Sequence, residues 1–167
     1  GRAVNMTILA LVRHGLTSWN ENKLVQGRSD IPLSEKGRKQ VRSWHVPGKL
    51  KDFLIVSSPL IRAKETAKIL FGESITTDDR LVEMDWSKWE GKSLKDLRAE
   101  LGNLMEAWEA EGLDFRAPGG ESPREVQKRL KPFLHERAKK KKNTLAVCHK
   151  GVIRAVYALS IDWDMTN

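Results

Sequence analysis

Cysteine, signal-like segments and long apolar runs are scarce in this sequence. The single cysteine, Cys148, cannot form an internal disulfide, which fits a reducing compartment, and we expect a cytoplasmic protein. No apolar run approaches the roughly 20 residues that a membrane-spanning helix needs, so we expect no membrane partner. Residues 1–5 lack the charged, apolar and small-residue succession of a secretory signal, and we interpret them as a leader or expression remnant.

Length and charge limit the alternatives further. A chain of 167 residues suffices for one domain with a real core, so residues 6–167 are expected to form a single domain. The net charge of +8 and the pI near 9.7 favour anionic partners, and nothing in the composition predicts an oligomeric state. Four lysines at 139–142 are interpreted as a solvated helix end, with a nucleic-acid patch as the alternative that we rank last.

Apolar runs rich in β-branched residues predict three strands, at 7–12, 52–56 and 144–148. Each run is followed within a few residues by a loop and a helical pattern. Strands that alternate with helices predict an α/β sandwich with a largely parallel central sheet.

Capping residues mark the predicted helices. Ser58 and Pro59 predict the start of a helix that ends near residue 70, and a capping box at 122–125 predicts a long helix. Pro132 should kink or divide that long helix. Further helices are predicted at 34–44 and 93–111, the second with a break near Gly102.

Two predicted strands end in a histidine, at His14 and His149, and ligands of such sheets bind beyond the carboxyl ends of the strands. Arg13 and Arg62 can reach the same edge, so the four side chains could converge on one anion. A guanidinium matches two oxygens of a phosphoryl group, and a neutral His14 can attack phosphorus. His149, if protonated, would stabilise the charge on the equatorial oxygens.

Six segments carry recognisable combinations of residues in a fixed order along the chain. They are Leu11, Val12, Arg13, His14, Gly15, Thr17, Trp19 and Asn20; Gln26, Gly27, Asp30, Pro32, Leu33, Ser34 and Gly37; Ser57, Ser58, Pro59, Arg62, Ala63, Glu65, Thr66 and Ala67; Leu81, Glu83, Trp89, Glu90 and Gly91; Pro118, Gly119, Gly120, Glu121 and Ser122; and His149, Gly151, Ile153, Arg154 and Ala155. One such segment is weak evidence, but six in this order are strong. Together they resemble the histidine phosphatase (phosphoglycerate mutase-like) superfamily.

The resemblance implies a three-layer α/β/α sandwich and hydrolysis of a small phosphorylated substrate through a phosphohistidine. It is closest to the phosphatase branch that contains alpha-ribazole phosphatase and broad-specificity phosphatases. It implies the catalytic residues His14, Glu83 and His149, and the phosphate-binding residues Arg13, Asn20, Gln26, Gly27 and Arg62. It requires neither a metal nor a cofactor. Partial shielding by Met84, Trp86 and Trp89 would also raise the pKa of Glu83, so that its carboxyl group could donate a proton.

Three positions depart from the family pattern: Leu16, Ser87 and Lys150. Lys150 stands where many members carry glycine and could recharge the pocket entrance. The sequence also stops soon after the helix that follows His149, where members generally continue with a further strand and helix. Two alternatives to hydrolysis therefore stay open, a phosphoglycerate mutase-type transfer in the same pocket and a phosphate-binding module without turnover.

Overall fold

A four-stranded parallel sheet forms the centre of the computed structural model, which describes residues 6–166. Its strands are β1 (Leu9–Arg13), β2 (Leu54–Ser57), β3 (Thr76–Thr77) and β4 (Thr144–Cys148), in the spatial order β1-β4-β2-β3. All three neighbouring pairs are parallel, which confirms the predicted α/β fold. β3 was not predicted because two threonines are too short to show a periodic pattern. The interpretation of residues 1–5 lies outside the described residues.

Seven α-helices occur within residues 6–166. They are α1 (Ser18–Glu21), α2 (Glu35–Arg42), α3 (Ile61–Phe71), α4 (Leu94–Leu101), α5 (Asn103–Glu109), α6 (Pro123–Lys140) and α7 (Lys150–Ser160). None of these helices is both long and apolar enough to cross a bilayer.

The central strand β4 is buried on both faces, which produces the three layers. Leu145 and Val147 pack against Ala63 and Ala67 of α3 on one face. Ala146 and Cys148 pack on the other face in a cluster with apolar residues of α6 and α7. Successive strand side chains point to opposite faces, so this alternation requires a helical layer on each side of the sheet. The α/β/α sandwich is thereby confirmed.

Three serines begin helices as predicted. Ser34 caps α2, Ser93 caps α4, and Ser122 forms a reciprocal capping box with Glu125 at the start of α6. Gly102, with a φ of +55°, separates α4 from α5, as the sequence predicts. Glycine adopts a positive φ without the steric cost that a side chain would impose, which explains the break at this position.

Two helix predictions need correction. α3 begins at Ile61 rather than at Pro59, because the hydroxyl of Ser58 accepts from the Leu60 amide, at 3.2 Å, and contacts His149 instead of capping a helix. Pro132 does not divide α6, which continues to Lys140. Buried residues on both sides of Pro132, among them Leu130 and Phe133, hold the two halves of α6 against the same core.

A second apolar cluster lies outside the sheet layers and flanks the cavity described below. It contains Trp89, Met105 and Phe115, with Trp86 and Trp108 packed against it. The rings of Trp89 and Trp108 stack with centroids 5.3 Å apart. Trp89 and Trp108 therefore contribute to the core, and Trp86 also lines the cavity.

Candidate active site

The carboxyl ends of β1 and β4 bring the two predicted histidines together. Arg13 and Cys148 are paired in register as the last residues of these strands. The backbone amide of His14 continues the ladder by donating to the carbonyl of Cys148 at 3.2 Å. The rings of His14 and His149 consequently lie with centroids 5.1 Å apart.

His14 is held as a neutral imidazole by its surroundings. Its Nδ1 donates to the carbonyl of Gly15 at 2.6 Å, which leaves the lone pair on Nε2. The Gly15 amide in turn donates to the hydroxyl of Thr66 at 3.1 Å. Burial lowers the pKa of His14 to about 3 and outweighs the Gly15 hydrogen bond, and the positive charges of Arg62 and Arg13 lower it further. Nε2 is therefore available as a nucleophile at neutral pH.

His149 is fully buried and makes a different contact. Its Nε2 lies 2.8 Å from the hydroxyl of Ser58, and its Nδ1 has no hydrogen-bond partner among residues 6–166. Burial, followed by the nearby charge of Arg62 and by His14, holds the pKa of His149 well below its usual value. The stabilising role considered for His149 applies to its protonated form, which burial and the neighbouring positive charges disfavour in the free protein.

Arg62 is completely buried at the start of α3 and is fixed by backbone carbonyls. Its Nη1 donates to Ser29 at 2.7 Å and its Nη2 donates to Gly27 at 2.6 Å. Burial lowers its pKa to about 10, against the opposing effect of Glu83 and Asp30, so the guanidinium stays charged at neutral pH. A guanidinium has five N–H donors, so these two contacts leave others for a ligand.

A cavity of about 510 Å³ opens at this edge of the sheet. Five of the eight predicted site residues line it: Arg13, His14, Asn20, Gln26 and Glu83. The other three, Gly27, Arg62 and His149, are buried and do not form its wall. The carbonyl of Gly27 accepts a hydrogen bond from Nη2 of Arg62.

Asn20 and Gln26 are oriented by one threonine. The hydroxyl of Thr17 lies 2.6 Å from Oε1 of Gln26 and 3.1 Å from Oδ1 of Asn20. The backbone amide of Thr17 also donates to Oδ1 of Asn20, at 3.0 Å. Because these contacts occupy the amide oxygens, the NH₂ groups of both side chains can donate to an anion in the cavity.

Glu83 supplies the carboxyl group of the site. It is 7% exposed, and its oxygens accept from the backbone amides of Met84 at 2.8 Å and Gly151 at 3.1 Å. Burial is the largest effect and raises the pKa of Glu83, while these hydrogen bonds and the charge of Arg62 oppose it. This direction agrees with the sequence-based prediction that Glu83 is a shielded acid.

Several residues that build the site were not predicted. The sequence predicts a helix cap at Ser58, and it gives Thr17 and Thr66 no role beyond their place in the matching segments. Arg28, whose Nε donates to the carbonyl of Glu83 at 2.7 Å, carried no signal in the sequence. Gly151 leaves room for the Glu83 carboxylate, since a Cβ at this position would overlap Oε1. The other two histidines, His45 and His135, are exposed and lie outside the site.

Comparisons with known proteins agree with this geometry. Residues 9–167 match the model of the histidine phosphatase superfamily, branch 1. A glucosyl-3-phosphoglycerate phosphatase of Mycolicibacterium vanbaalenii is 32% identical, over 95% of this chain and 76% of that protein. A protein named as a probable phosphoglycerate mutase, GpmB, of Salmonella paratyphi C is 38% identical, over 74% of this chain and 60% of that protein.

Solved structures show the same fold. A mycobacterial glucosyl-3-phosphoglycerate phosphatase in complex with VO3 superposes with a TM-score of 0.85 at 32% identity, over 95% of this chain and 82% of that chain. Bacillus stearothermophilus YhfR gives a TM-score of 0.80 at 30% identity, over 96% and 83% of the two chains.

The parallel sheet, the paired histidines and the matched residues together define the class. The chain belongs to the histidine phosphatase superfamily, branch 1. Within that superfamily it is a phosphatase, a hydrolase of phosphoric monoesters.

Proposed function

We propose that this phosphatase hydrolyses a small phosphomonoester through a phosphohistidine formed on Nε2 of His14. The observation that carries the proposal is the contact of 2.6 Å between Nδ1 of His14 and the Gly15 carbonyl. This contact fixes the tautomer of His14 and leaves Nε2 neutral at the cavity, which Glu83 also lines.

The first step forms a nitrogen–phosphorus bond. Nε2 of His14 attacks phosphorus while the bond from phosphorus to the ester oxygen breaks. The protonated carboxyl of Glu83 gives its proton to that oxygen, which leaves as an alcohol. The burial that raises the pKa of Glu83 keeps the proton available for this transfer.

The second step releases phosphate. The Glu83 carboxylate takes a proton from water, the water oxygen attacks phosphorus, and the bond to Nε2 breaks. His14 regains its lone pair and Glu83 its proton, so both groups return to their starting forms.

Positive and hydrogen-bonding groups stabilise the transferring phosphoryl group. Arg13, Asn20 and Gln26 line the cavity, and the buried guanidinium of Arg62 is held by the carbonyls of Ser29 and Gly27. A bound phosphate dianion would raise the pKa of His149, so that His149 gains its proton when substrate binds. In the proposed mechanism these groups neutralise the negative charge of the phosphoryl oxygens without a metal.

The test is turnover of p-nitrophenyl phosphate and of an alkyl phosphate by the wild type, His14→Ala and Glu83→Gln. Phosphohistidine is labile in acid, so the intermediate is trapped by quenching in alkali and detected by intact mass. We expect His14→Ala to lose both turnover and the added phosphoryl mass. Glu83→Gln should reduce turnover of the alkyl phosphate far more than turnover of the p-nitrophenyl ester, because p-nitrophenolate leaves without a proton.

Controls separate this mechanism from others. His45→Ala removes an exposed histidine outside the site and should match the wild type. All assays are repeated with a chelator, which should not alter turnover. Wild-type turnover without a phosphorylated His14, or turnover abolished by the chelator, would overturn the proposal. Phosphate binding without any turnover would favour the binding-module alternative.

A mutase activity is the second candidate, supported by the GpmB relative. It uses the same nucleophile and differs only in the acceptor of the second step. Incubation with 3-phosphoglycerate distinguishes the two, because a phosphatase releases inorganic phosphate and a mutase produces 2-phosphoglycerate. Glucosyl-3-phosphoglycerate, the compound in the mycobacterial relative's name, is the first natural ester to assay.

The cytoplasm stays the proposed compartment. Cys148 is buried as a free thiol, and burial raises its pKa to about 12, so it is held in the protonated form. A buried protonated thiol fits a reducing environment.

A further inference from the structure

A second cavity, of about 440 Å³, lies beside the edge strand β3, and its lining residues all differ from those of the active-site cavity. Helix α6 connects the two places. Pro123, its first residue, lines the active-site cavity, and Lys140, its last, lines the second cavity. At 1.5 Å per residue these two residues are about 25 Å apart along the helix. The second cavity is therefore separate from the reacting groups.

Three basic side chains line this second cavity: Arg137, Lys140 and Lys142. Arg137 and Lys140 are three residues apart in α6, so they lie on the same face of that helix. Both lysines are exposed, and Arg137 is half-buried. Within residues 6–166 the three side chains form neither a salt bridge nor a hydrogen bond.

The carboxylates next to these cations are bound by another arginine. Asp78 lines the cavity and accepts from Nε of Arg80 at 3.0 Å and from Nη2 at 2.8 Å. Glu136, one turn before Lys140, accepts from the same Nη2 at 2.7 Å. Two carboxylates thus face four cations, so this group of side chains keeps an excess of positive charge.

Arg137 is the basic residue whose placement calls for a ligand. Its Nε is buried and has no hydrogen-bond partner in the described part of the chain, residues 6–166. Its guanidinium carbon lies 5.8 Å from the centre of the Phe133 ring, which attracts the charge but gives the N–H no lone pair. The dipole of α6 favours cations at this end and accounts for the exposed lysines. It does not account for a buried donor without an acceptor, which is costly.

We propose that the second cavity binds a small organic molecule that carries a phosphoryl group. Arg137 offers a fork of donors to two phosphoryl oxygens, and the two lysines add point charges, which suits a dianion better than a single carboxylate. Leu54, Val56 and Phe133 form an apolar part of the wall that can pack against an uncharged, apolar body. The inference is separate from the proposed function, because it concerns a different cavity.

Phosphonates test the proposal, because their carbon–phosphorus bond resists hydrolysis by the active site. Phenylphosphonate and methylphosphonate are titrated into ¹⁵N-labelled protein at constant ionic strength and followed by NMR. The amides of Thr76 and Thr77 and the Nε–H of Arg137 report on the second cavity, and the amides of Gly15 and Gly151 report on the active site. We expect saturable shifts at the second cavity, with a Kd about fivefold lower for phenylphosphonate because its ring buries apolar surface.

Substitutions assign the binding to the basic side chains. Arg137→Met and, separately, the exposed Lys140→Met should each raise the Kd read from the Thr76 and Thr77 amides by about tenfold. Lys140→Met keeps the test valid if Arg137→Met loses its packing on Phe133 and fails to fold. Lys139→Met is the matched control, since it removes an equal charge from the neighbouring position outside the cavity, and its Kd should stay within about twofold.

Several results would overturn the second site. Shifts that stay linear with concentration, or that are confined to the Gly15 and Gly151 amides, would show that no phosphoryl group binds there. An equal rise in Kd for Lys139→Met and Lys140→Met would reduce the effect to general charge screening. Equal Kd values for the two phosphonates would contradict an apolar ligand body. Saturation by a short single-stranded DNA where phenylphosphonate does not saturate would replace the small ligand with a nucleic acid.

Discussion

The two imidazoles of the site lie 5.1 Å apart but use opposite ring nitrogens. His14 contacts the Gly15 carbonyl through Nδ1, whereas His149 contacts the Ser58 hydroxyl through Nε2. A carbonyl can only accept, so it fixes the tautomer of His14, while a hydroxyl can donate or accept. His149 can therefore change its protonation state without losing its partner, as its proposed role requires.

Ser58→Ala removes the partner of Nε2 of His149. We expect kcat to fall about tenfold with a smaller change in KM, because a buried imidazole without a partner loses orientation. Ser57→Ala is the matched control, since the Ser57 hydroxyl donates to a backbone carbonyl instead, at 2.9 Å. Equal effects of the two substitutions on kcat would contradict a specific role for Ser58.

Gly151→Ala places a methyl group against Oε1 of Glu83. The acid must shift, so we expect turnover of an alkyl phosphate to fall by about 100-fold, comparable to other small displacements of reacting groups. p-Nitrophenyl phosphate should be affected less. Gly48→Ala is the control, because nothing lies within 4 Å of a Cβ at Gly48. Wild-type kinetics of Gly151→Ala with both esters would refute the predicted displacement.

The segment that carries Glu83 is held in place by an ion network rather than by regular structure. Arg129 of α6 donates to the carbonyls of Arg80 and Val82, the latter at 2.8 Å, and to the Glu121 carboxylate at 2.9 Å. Glu121 also accepts from the backbone amide of Asp85, at 3.2 Å. The backbone is thereby fixed on both sides of Glu83, which makes Arg129 a positioning residue.

Arg129→Met should weaken both stability and the step that needs the acid. It removes the donor to two backbone carbonyls and one of the donors to the partly buried Glu121, which costs about 3 kcal/mol in comparable cases. We expect a lower Tm and a greater loss with alkyl phosphates than with p-nitrophenyl phosphate. Arg124→Met breaks an exposed pair with Asp114 and should change neither readout. A lower Tm with an unchanged ratio of the two substrates would show a purely structural role.

Local signals explain which elements the sequence could predict. Ser122 and Glu125 form their capping box within four residues, and Gly102 breaks a helix through its own φ. The sequence could therefore predict the start of α6 and the break between α4 and α5. Ser58 resembled a cap because its actual partner, His149, is 91 positions away in the chain. Contacts of that range depend on the sheet order, which no local pattern contains.

The eight predicted site residues come from five of the six matching segments, and those that follow β1, β4 and β2 are brought together by the strand order β1-β4-β2. Parallel strands that end at one edge predict the convergence of His14, His149 and Arg62, and the resemblance to a family supplied Glu83, Asn20 and Gln26. Neither predicted the supports, such as Arg129. Supports are set by packing between distant elements, which a local motif does not record.

Burial of two neutral histidines makes the stability of the whole molecule depend on pH. The unfolded state protonates histidine near pH 6.5, while His14 in the folded state does so only near 3. Between these values the unfolded state binds more protons, so the free energy of unfolding falls as pH falls. Glu83 acts in the opposite sense, because its pKa is raised on folding and its contribution to stability is lost as pH rises above 4.5.

We therefore expect the wild-type Tm to fall between pH 6.5 and 5.0 in a phosphate-free buffer, and to fall less in His14→Gln. The contribution of His14 over this interval is about 2 kcal/mol, from about 1.4 kcal/mol per pH unit. The slope of Tm against pH isolates this contribution, because any loss of packing in the variant lowers the whole curve. His45→Gln, at an exposed position, should leave the slope unchanged. Parallel curves for the wild type and His14→Gln would mean that His14 is not held neutral by the fold, and the proposed nucleophile would lose its electrostatic basis.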